Sequence, residues 1–195
     1  MPSTILYLGE PGTGKSYLMR EHVEHMAREP DLVYLIVDHD DTWAAAFPES
    51  PIFDSIAAWW ANPARVALFR GVPGTQVAQL AIDVGWSVYV DDECDAAISE
   101  SWKTNPIREI VKRGRHLRNK AGVITGVTAM LATHRPANLP TDVIGLFERV
   151  YVGRLRSFND AERVYREGWI RAATSAIDCR QRLEAHAVGD FTVWP

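Results

Sequence analysis

Gly9-Glu10-Pro11-Gly12-Thr13-Gly14-Lys15-Ser16 decides the fold of this chain, because the stretch fits the pattern G-x-x-x-x-G-K-[ST]. The apolar run Thr4 to Leu8 precedes it and predicts a buried strand, while Tyr17 to Arg28 follows with helical spacing. A loop of this pattern between a strand and a helix is a P-loop, whose backbone N–H groups surround the phosphates of a nucleotide. The sequence therefore predicts a nucleotide site at the end of the first strand.

The residues of this loop have separate predicted roles. The glycines allow the backbone to fold around the phosphates, and Lys15 reaches the β- and γ-phosphates. The hydroxyl of Ser16 is a predicted ligand of Mg²⁺, which makes ATP and Mg²⁺ the expected cofactors. The predicted nucleotide-binding residues are Gly9, Glu10, Pro11, Gly12, Thr13, Gly14, Lys15, Ser16 and Tyr17.

A second informative stretch is the apolar run from Ser87, which ends in Asp91, Asp92 and Glu93. Adjacent carboxylates at the end of a strand are typical of a Walker B site, in which one aspartate holds Mg²⁺. Either Asp91 or Asp92 can face the metal in this register, and we favour Asp92 because it directly precedes Glu93. A glutamate at that place orients and deprotonates the attacking water, which indicates a hydrolase.

The rest of the chain alternates predicted strands and helices. The predicted strands are Leu32 to Val37, Arg65 to Phe69, Val127 to Thr133, Val150 to Leu155 and an edge strand, Phe191 to Trp194. The predicted helices are Asp54 to Ala61, Gln76 to Val84, one from Pro106 that Gly122 ends, and one that Asn159 caps and Gly168 ends. This alternation predicts one α/β domain, residues 1–195, with a mostly parallel central sheet. Its core spans about residues 4–156, and residues 157–195 supply the last helices and the edge strand.

Two other predicted strands end in polar residues. Asp38-His39-Asp40-Asp41 follows the second strand, where these side chains approach the phosphates, approach a neighbouring subunit, or simply solvate a loop. Thr133-His134-Arg135-Pro136 follows a later strand, and His134 is placed to sense the γ-phosphate from there.

Composition narrows the protein class. The chain has 195 residues, 47% of them hydrophobic, and a formal net charge of −4. No apolar run is long enough to cross a bilayer, and the first strand begins too early for a signal peptide. The two cysteines, Cys94 and Cys179, lie far apart and have no spaced histidine pair, which favours the cytoplasm and no metal other than Mg²⁺.

Positive charge concentrates in one segment. Residues 108–156 contain 10 Lys and Arg against 3 Asp and Glu, whereas residues 1–107 contain 6 against 16. With helical spacing, Arg108, Lys112 and Arg115 share one face. This face is either a phosphate-binding surface or an ordinary solvated helix face. Asn119-Lys120 is not the guanine-binding motif of GTPases, because that motif requires aspartate where this chain has Gly122.

Together the P-loop, the strand ending in Asp38, the pair Asp92-Glu93 and the stretch Arg118 to Pro136 resemble the FtsK-HerA superfamily of DNA-pumping ATPases. The resemblance covers residues 4–156. Members of that superfamily usually have glutamine where this chain has His134. The absence of membrane-anchoring or DNA-orienting domains makes the chain similar to the genome-packaging ATPases of tectivirus-like icosahedral viruses with an internal membrane.

The resemblance implies a fold, a function and partners. The implied fold is a three-layer RecA-like P-loop NTPase core whose catalytic glutamate lies on a strand separate from the P-loop strand. The implied function is ATP-driven translocation of double-stranded DNA into a preformed capsid, by a ring of subunits at the capsid vertex. The implied partners are double-stranded DNA, bound without sequence preference, further copies of the chain and capsid vertex proteins. The implied location is the host cytoplasm or the packaging vertex of the virion.

Motor families of this kind complete each nucleotide site with an arginine from the neighbouring subunit. Arg113, Arg115 and Arg118 are the first candidates for that catalytic finger, and Arg135, Arg149 and Arg154 are the next. Two other functions remain open. A phage assembly or secretion ATPase similar to zonula occludens toxin usually carries a membrane-spanning segment, and a small-molecule kinase explains neither Glu93 nor the basic segment.

Overall fold

A computed structural model describes residues 3–99 and 105–195. The strands are β1 (Thr4–Leu8), β2 (Val33–Val37), β3 (Ile52–Phe53), β4 (Val66–Phe69), β5 (Ser87–Asp91), β6 (Leu117–Arg118), β7 (Ile124–Thr125), β8 (Val127–Thr133), β9 (Arg149–Val152) and β10 (Thr192–Trp194). The helices are α1 (Lys15–Met26), α2 (Thr42–Ala46), α3 (Ile56–Ala61), α4 (Gly74–Val84), α5 (Asp95–Ser99), α6 (Pro106–Arg113), α7 (Thr141–Ile144), α8 (Phe158–Arg166) and α9 (Ala176–Glu184).

Eight of these strands form one sheet in the order β10-β9-β1-β8-β5-β2-β4-β3. Every neighbouring pair is parallel except β9 and β10. Strand β8 separates β1, which leads into the P-loop, from β5, which leads into Glu93. The α/β class with a mostly parallel, RecA-like sheet is therefore confirmed, and the carboxyl ends of β1, β8, β5 and β2 meet at one edge.

Helices cover both faces of the sheet because the central strands are apolar on both sides. One buried cluster joins Val88 and Val90 of β5 to Met19 and Val23 of α1. The other cluster contains Tyr89 of β5 and residues of α3, α4, α6, α8 and α9. Alternate residues of β5 thus face opposite helix layers, which becomes important where the strand ends in carboxylates.

The prediction of one long helix from Pro106 to Gly122 is wrong, because α6 ends at Arg113. The next residue, Gly114, packs closely against β8. A Cβ atom on Gly114 would lie 2.6 Å from the carbonyl oxygen of Val127, the first residue of that strand. Strands β6 and β7 then form an antiparallel hairpin. Arg108 and Lys112 remain on the helix, whereas Arg115 and Arg118 lie beyond its end.

A side chain closes the turn of this hairpin. Asn119 Oδ1 accepts hydrogen bonds from the N–H groups of Ala121 (3.1 Å) and Val123 (3.0 Å). Gly122, predicted as a helix stop, supplies a left-handed residue of the same turn, with φ of 75°. The basic residues of the segment consequently spread over a helix, a connection and a hairpin.

The C-terminal part follows the prediction with one correction. Ser157, and not Asn159, caps α8, and its Oγ accepts the N–H of Asp160 at 3.4 Å. The predicted edge strand is present as β10, antiparallel to β9. Both cysteines are buried and free. In the described part of the chain, no helix combines the length and apolarity that crossing a membrane requires.

Candidate active site

The P-loop leads from β1 into α1. Gly9, Gly12 and Gly14 have φ angles of 154°, 75° and 93°, which side-chain-bearing residues rarely adopt. A Cβ atom at Gly9 would also lie 2.7 Å from Thr13 Oγ1, so the loop cannot close around a larger residue. Gly14 precedes α1 and offers no side chain to cap it, which leaves the first N–H groups of the helix for an anion.

Lys15 is held inside this loop. Its Nζ donates to the carbonyl oxygen of Glu10 at 3.0 Å and lies 2.8 Å from Nδ1 of His134. Burial lowers the pKa of Lys15 to about 8, an effect that Asp92 and then Asp95 partly oppose. The phosphates of a bound nucleotide would restore the full positive charge of this lysine.

The end of β8 places His134 beside the loop, as the sequence predicted. Besides Lys15, its Nδ1 lies 3.4 Å from the carbonyl oxygen of Gly9. The preceding residue, Thr133, bonds through its hydroxyl to the carboxylate of Asp95 and accepts the N–H of Arg135 at 2.9 Å. The turn that carries His134 is therefore fixed, while its role as γ-phosphate sensor remains a prediction.

The three carboxylates after β5 differ sharply in environment. Asp91 is fully buried and accepts hydrogen bonds from His39, Tyr89 and the backbone of Glu93. Asp92 is 9% exposed, and its pKa is raised to about 6, first by burial and then by the charge of Asp91. Glu93 is exposed.

These surroundings favour Asp92 over Asp91 as the metal ligand. Asp92 is the leading acidic influence on the pKa of Lys15, so it lies on the side of the P-loop. Asp91 points toward α4, where a Cβ atom on Gly74 would lie 2.7 Å from its Oδ2. A buried carboxylate with a raised pKa, such as Asp92, is suited to a cation that would restore its ionised form.

The residues present fit Mg²⁺ held jointly by protein and nucleotide. Within residues 3–99 and 105–195, no cluster of three or more His, Cys, Asp or Glu side chains could hold a metal alone. Mg²⁺ prefers oxygen ligands and commonly takes one or two from protein and others from phosphates and water. Ser16, the second residue of α1, and Asp92 are the oxygen donors that would hold it here.

The end of β2 brings His39, a member of the polar stretch Asp38-His39-Asp40-Asp41, to the carboxylates after β5. Its Nε2 lies 2.9 Å from Asp91 Oδ1, and this hydrogen bond raises the pKa of His39 to about 8. Of the three predicted roles of this stretch, solvation of a loop is wrong for Asp38. It is buried and paired with Arg70 at 2.9 Å.

The P-loop is also braced by the far end of the chain. The N–H of Glu10 donates to the carbonyl oxygen of Arg154 at 3.0 Å, and its Oε1 accepts the N–H of Arg156 at 2.6 Å. The N–H of Gly189 donates to the carbonyl oxygen of Thr13 at 3.0 Å. Tyr17, another predicted nucleotide contact, is 61% exposed at the start of α1.

The three first finger candidates lie away from this site. Arg113 and Arg115 line a surface cleft with Ser3 and Val127, at the amino ends of β1 and β8. Arg113 pairs with Glu109, Arg115 with Glu148, and Arg118 donates to the carbonyl oxygen of Gly122 at 2.7 Å. The role of these arginines as a catalytic finger stays a prediction.

No protein-family model matches the sequence, and neither does any curated protein. The fold matches solved structures of the genome packaging NTPase B204 from Sulfolobus turreted icosahedral virus 2. The complex with AMPPCP superimposes with a TM-score of 0.72 and the complex with AMP with 0.70, each at 16% sequence identity over 99% of this chain and 92% of that chain. The DNA-packaging ATPase B204 from Sulfolobus Turreted Icosahedral Virus gives 0.69 at the same identity. At 16% identity, this similarity shows a shared fold over nearly the full chain.

Proposed function

We propose that this protein is an Mg²⁺-dependent ATPase that moves double-stranded DNA during packaging of a viral genome. The observation that carries the proposal is the meeting of Lys15, His134 and the pair Asp92-Glu93 at one sheet edge. They follow three adjacent strands, β1, β8 and β5. One nucleotide would then be surrounded by the groups that hydrolysis needs. Lys15 binds the phosphates, His134 is a polar group beside them, and Glu93 is a base for the attacking water.

Each residue has a role in hydrolysis. The P-loop N–H groups and Lys15 bind the phosphates, and Ser16 and Asp92 would hold the metal. Mg²⁺, when bound, neutralises charge that develops on the phosphate oxygens. Glu93 takes a proton from the attacking water, and its exposed position leaves room for that water. His134 contacts the γ-phosphate from β8 and reports its presence.

The packaging role rests on the fold and on the charge distribution. The matched B204 structures are described as those of a genome packaging NTPase and a DNA-packaging ATPase. The excess of positive charge between residues 108 and 156 offers contacts to DNA phosphates without a base-reading element. Part of that charge is already neutralised, since Arg108 and Lys112 both pair with Asp142.

A ring of copies at the capsid vertex is the proposed working form. The first finger candidates lie at the amino edge of the sheet, opposite the P-loop, which supports their use on a neighbouring subunit and not on their own nucleotide. Capsid vertex proteins would be the further partners, in the host cytoplasm or at the packaging vertex. The earlier alternatives, an assembly ATPase and a kinase, gain no specific support from the geometry.

The decisive experiment measures ATP hydrolysis with and without duplex DNA. We expect stimulation by DNA of any sequence, and a DNA affinity that falls steeply with salt. Lys15→Ala should abolish nucleotide binding, whereas Glu93→Gln should bind ATP but lose about 10²–10⁴-fold in hydrolysis. Equal ATP affinity in wild type and Lys15→Ala would defeat the ATPase assignment, and indifference to DNA would defeat the packaging role.

A further inference from the structure

The buried carboxylate of Asp91 accepts three hydrogen bonds at the edge of the site. Its Oδ1 lies 2.9 Å from Nε2 of His39 and accepts the backbone N–H of Glu93 at 3.1 Å. Its Oδ2 accepts the hydroxyl of Tyr89 at 2.8 Å. Asp91 and Tyr89 are both fully buried, whereas the side chain of His39 is 35% exposed. Both oxygens of Asp91 are thus committed to protein groups.

The loop that carries His39 is itself held in place. Asp38 accepts the backbone N–H of Trp43 at 3.1 Å and pairs with Arg70 at 2.9 Å. The same guanidinium group contacts Asp41 at 2.6 Å. Buried Asp38 thus anchors the start of the loop, and the exposed residues His39, Asp40 and Asp41 follow it.

Glu93 needs this support more than the other site residues do. Its side chain is exposed and follows the last residue of β5 by two positions, in a turn. The hydrogen bond from its N–H to Asp91 ties that turn to the buried network. A general base must hold its geometry closely, since a displacement of about 1 Å can cost about 10²-fold in rate.

We propose that His39 is a positioning residue for hydrolysis, which together with Tyr89 clamps Asp91 so that Asp91 holds the backbone of Glu93. The inference rests on the proposed function, because it assumes that Glu93 activates the attacking water. In this role His39 contacts neither the nucleotide nor the attacking water. It connects the end of β2 to the end of β5, and Arg70 extends the connection to the end of β4.

The test compares His39→Ala, His39→Gln and Tyr89→Phe with wild type. The amide nitrogen of glutamine can occupy the place of the imidazole Nε2, so His39→Gln should preserve the bond to Asp91. We expect His39→Ala to lower kcat by about 10- to 100-fold while the Kd for ATP changes by less than about twofold. His39→Gln should recover most of the loss. His25→Ala, at an exposed histidine near the far end of α1, is the matched control and should behave as wild type.

A double variant separates positioning from general weakening of the fold. If His39 acts through Glu93, His39→Ala should cause no further loss of kcat in a Glu93→Gln background, whereas independent effects would multiply. Wild-type kcat in His39→Ala, a loss confined to KM, or a glutamine variant as impaired as the alanine variant would each overturn the proposal. If His39→Ala does not fold, Tyr89→Phe decides, since it removes only the hydroxyl bond to Asp91 and should lower kcat at unchanged Kd.

Failure of the inference and failure of the proposed function give different results. Hydrolysis by wild type that Glu93→Gln abolishes, together with full activity in His39→Ala and Tyr89→Phe, overturns the positioning role alone. No hydrolysis by wild type overturns both. Full activity in Glu93→Gln overturns the positioning role and the assignment of Glu93 as the base, while the ATPase function stands.

Discussion

Replacing Gly74 by alanine should damage the carboxylate network from a position that carries no catalytic group. Gly74 is the first residue of α4, and a Cβ atom there would lie 2.7 Å from Asp91 Oδ2 and 3.0 Å from the hydroxyl of Tyr89. Carbon prefers separations of about 3.5–4.0 Å from its neighbours. The network must therefore move by several tenths of an ångström, and neither buried partner has solvent to move into.

The expected size of the effect follows from these contacts. Overpacking of a well-filled interior costs about 1–3 kcal/mol, and the gain from replacing glycine in a helix offsets at most about 1 kcal/mol. We expect Gly74→Ala to lower the free energy of unfolding by about 1–2 kcal/mol. For a chain of this size that corresponds to a fall in Tm of about 2–8 °C. The displaced Asp91 should also lower kcat, with little change in the Kd for ATP.

Thermal unfolding and ATP hydrolysis measure the two effects on the same sample. Gly145→Ala is the matched control, because the nearest atom to a Cβ atom there is Glu167 Oε2 at 3.8 Å, an ordinary contact. It should leave both Tm and kcat close to wild type. If Gly74→Ala unfolds at the temperature of Gly145→Ala and hydrolyses ATP at the wild-type rate, the reasoning about the rigidity of this network is wrong.

Three other predictions concern charge. With a pKa of about 8 in the free protein, Lys15 is largely charged at pH 7 and largely neutral at pH 9, so the proton uptake that accompanies ATP binding should rise across this range. Calorimetry in buffers of different ionisation enthalpy measures this proton uptake. The measurement uses the His39→Gln variant, because the pKa of His39 is also about 8. A proton uptake that does not vary with pH would contradict the prediction. The contribution of Mg²⁺ to nucleotide affinity is measured as the ratio of the Kd with EDTA to the Kd with Mg²⁺. Asp92→Asn should lower this ratio, whereas Asp91→Asn should leave it unchanged. The reverse pattern would exchange the roles of the two aspartates. Of the alanine variants of Arg113, Arg115 and Arg118, one should bind ATP normally but lose about 10³-fold or more in hydrolysis, and mixing it with Lys15→Ala should restore part of the activity. Wild-type rates in all three would leave the finger among Arg135, Arg149 and Arg154.

The sequence predicted best what is both local and buried. Strands β1, β2, β5 and β8 are apolar runs bounded by polar or glycine-rich stretches, and their boundaries agree with the prediction within a residue or two. The P-loop and the carboxylates after β5 are similarly readable, since their chemistry lies in consecutive residues. The sequence favoured Asp92 over Asp91 only because Asp92 directly precedes Glu93, and packing adds which helix layer each side chain faces.

The error after α6 arose from the charged residues themselves. Arg108, Lys112 and Arg115 have helical spacing, but exposed charges fit several backbone conformations equally well. What ends the helix is the approach of Gly114 to Val127 in the neighbouring strand, a tertiary contact. Asn119 followed by Gly122 was the available signal for a turn. The bonds of His39 to Asp91 and of Arg156 to Glu10 join residues 52 and 146 positions apart, and no local pattern predicts them.

The position of β1 within the sheet also has a consequence for synthesis of the chain. Its two neighbours are β8, residues 127–133, and β9, residues 149–152, so β1 leaves the ribosome well over a hundred residues before either partner. At about 5–20 residues per second, the wait for β8 is roughly 6–25 s, whereas β2 and β4 can pair much earlier. All five residues of β1 are buried in the finished fold, so during that interval an apolar strand stays open to wrong pairing. We therefore expect ATP to stabilise only the completed domain, because the loop that binds it assembles after most of the sheet.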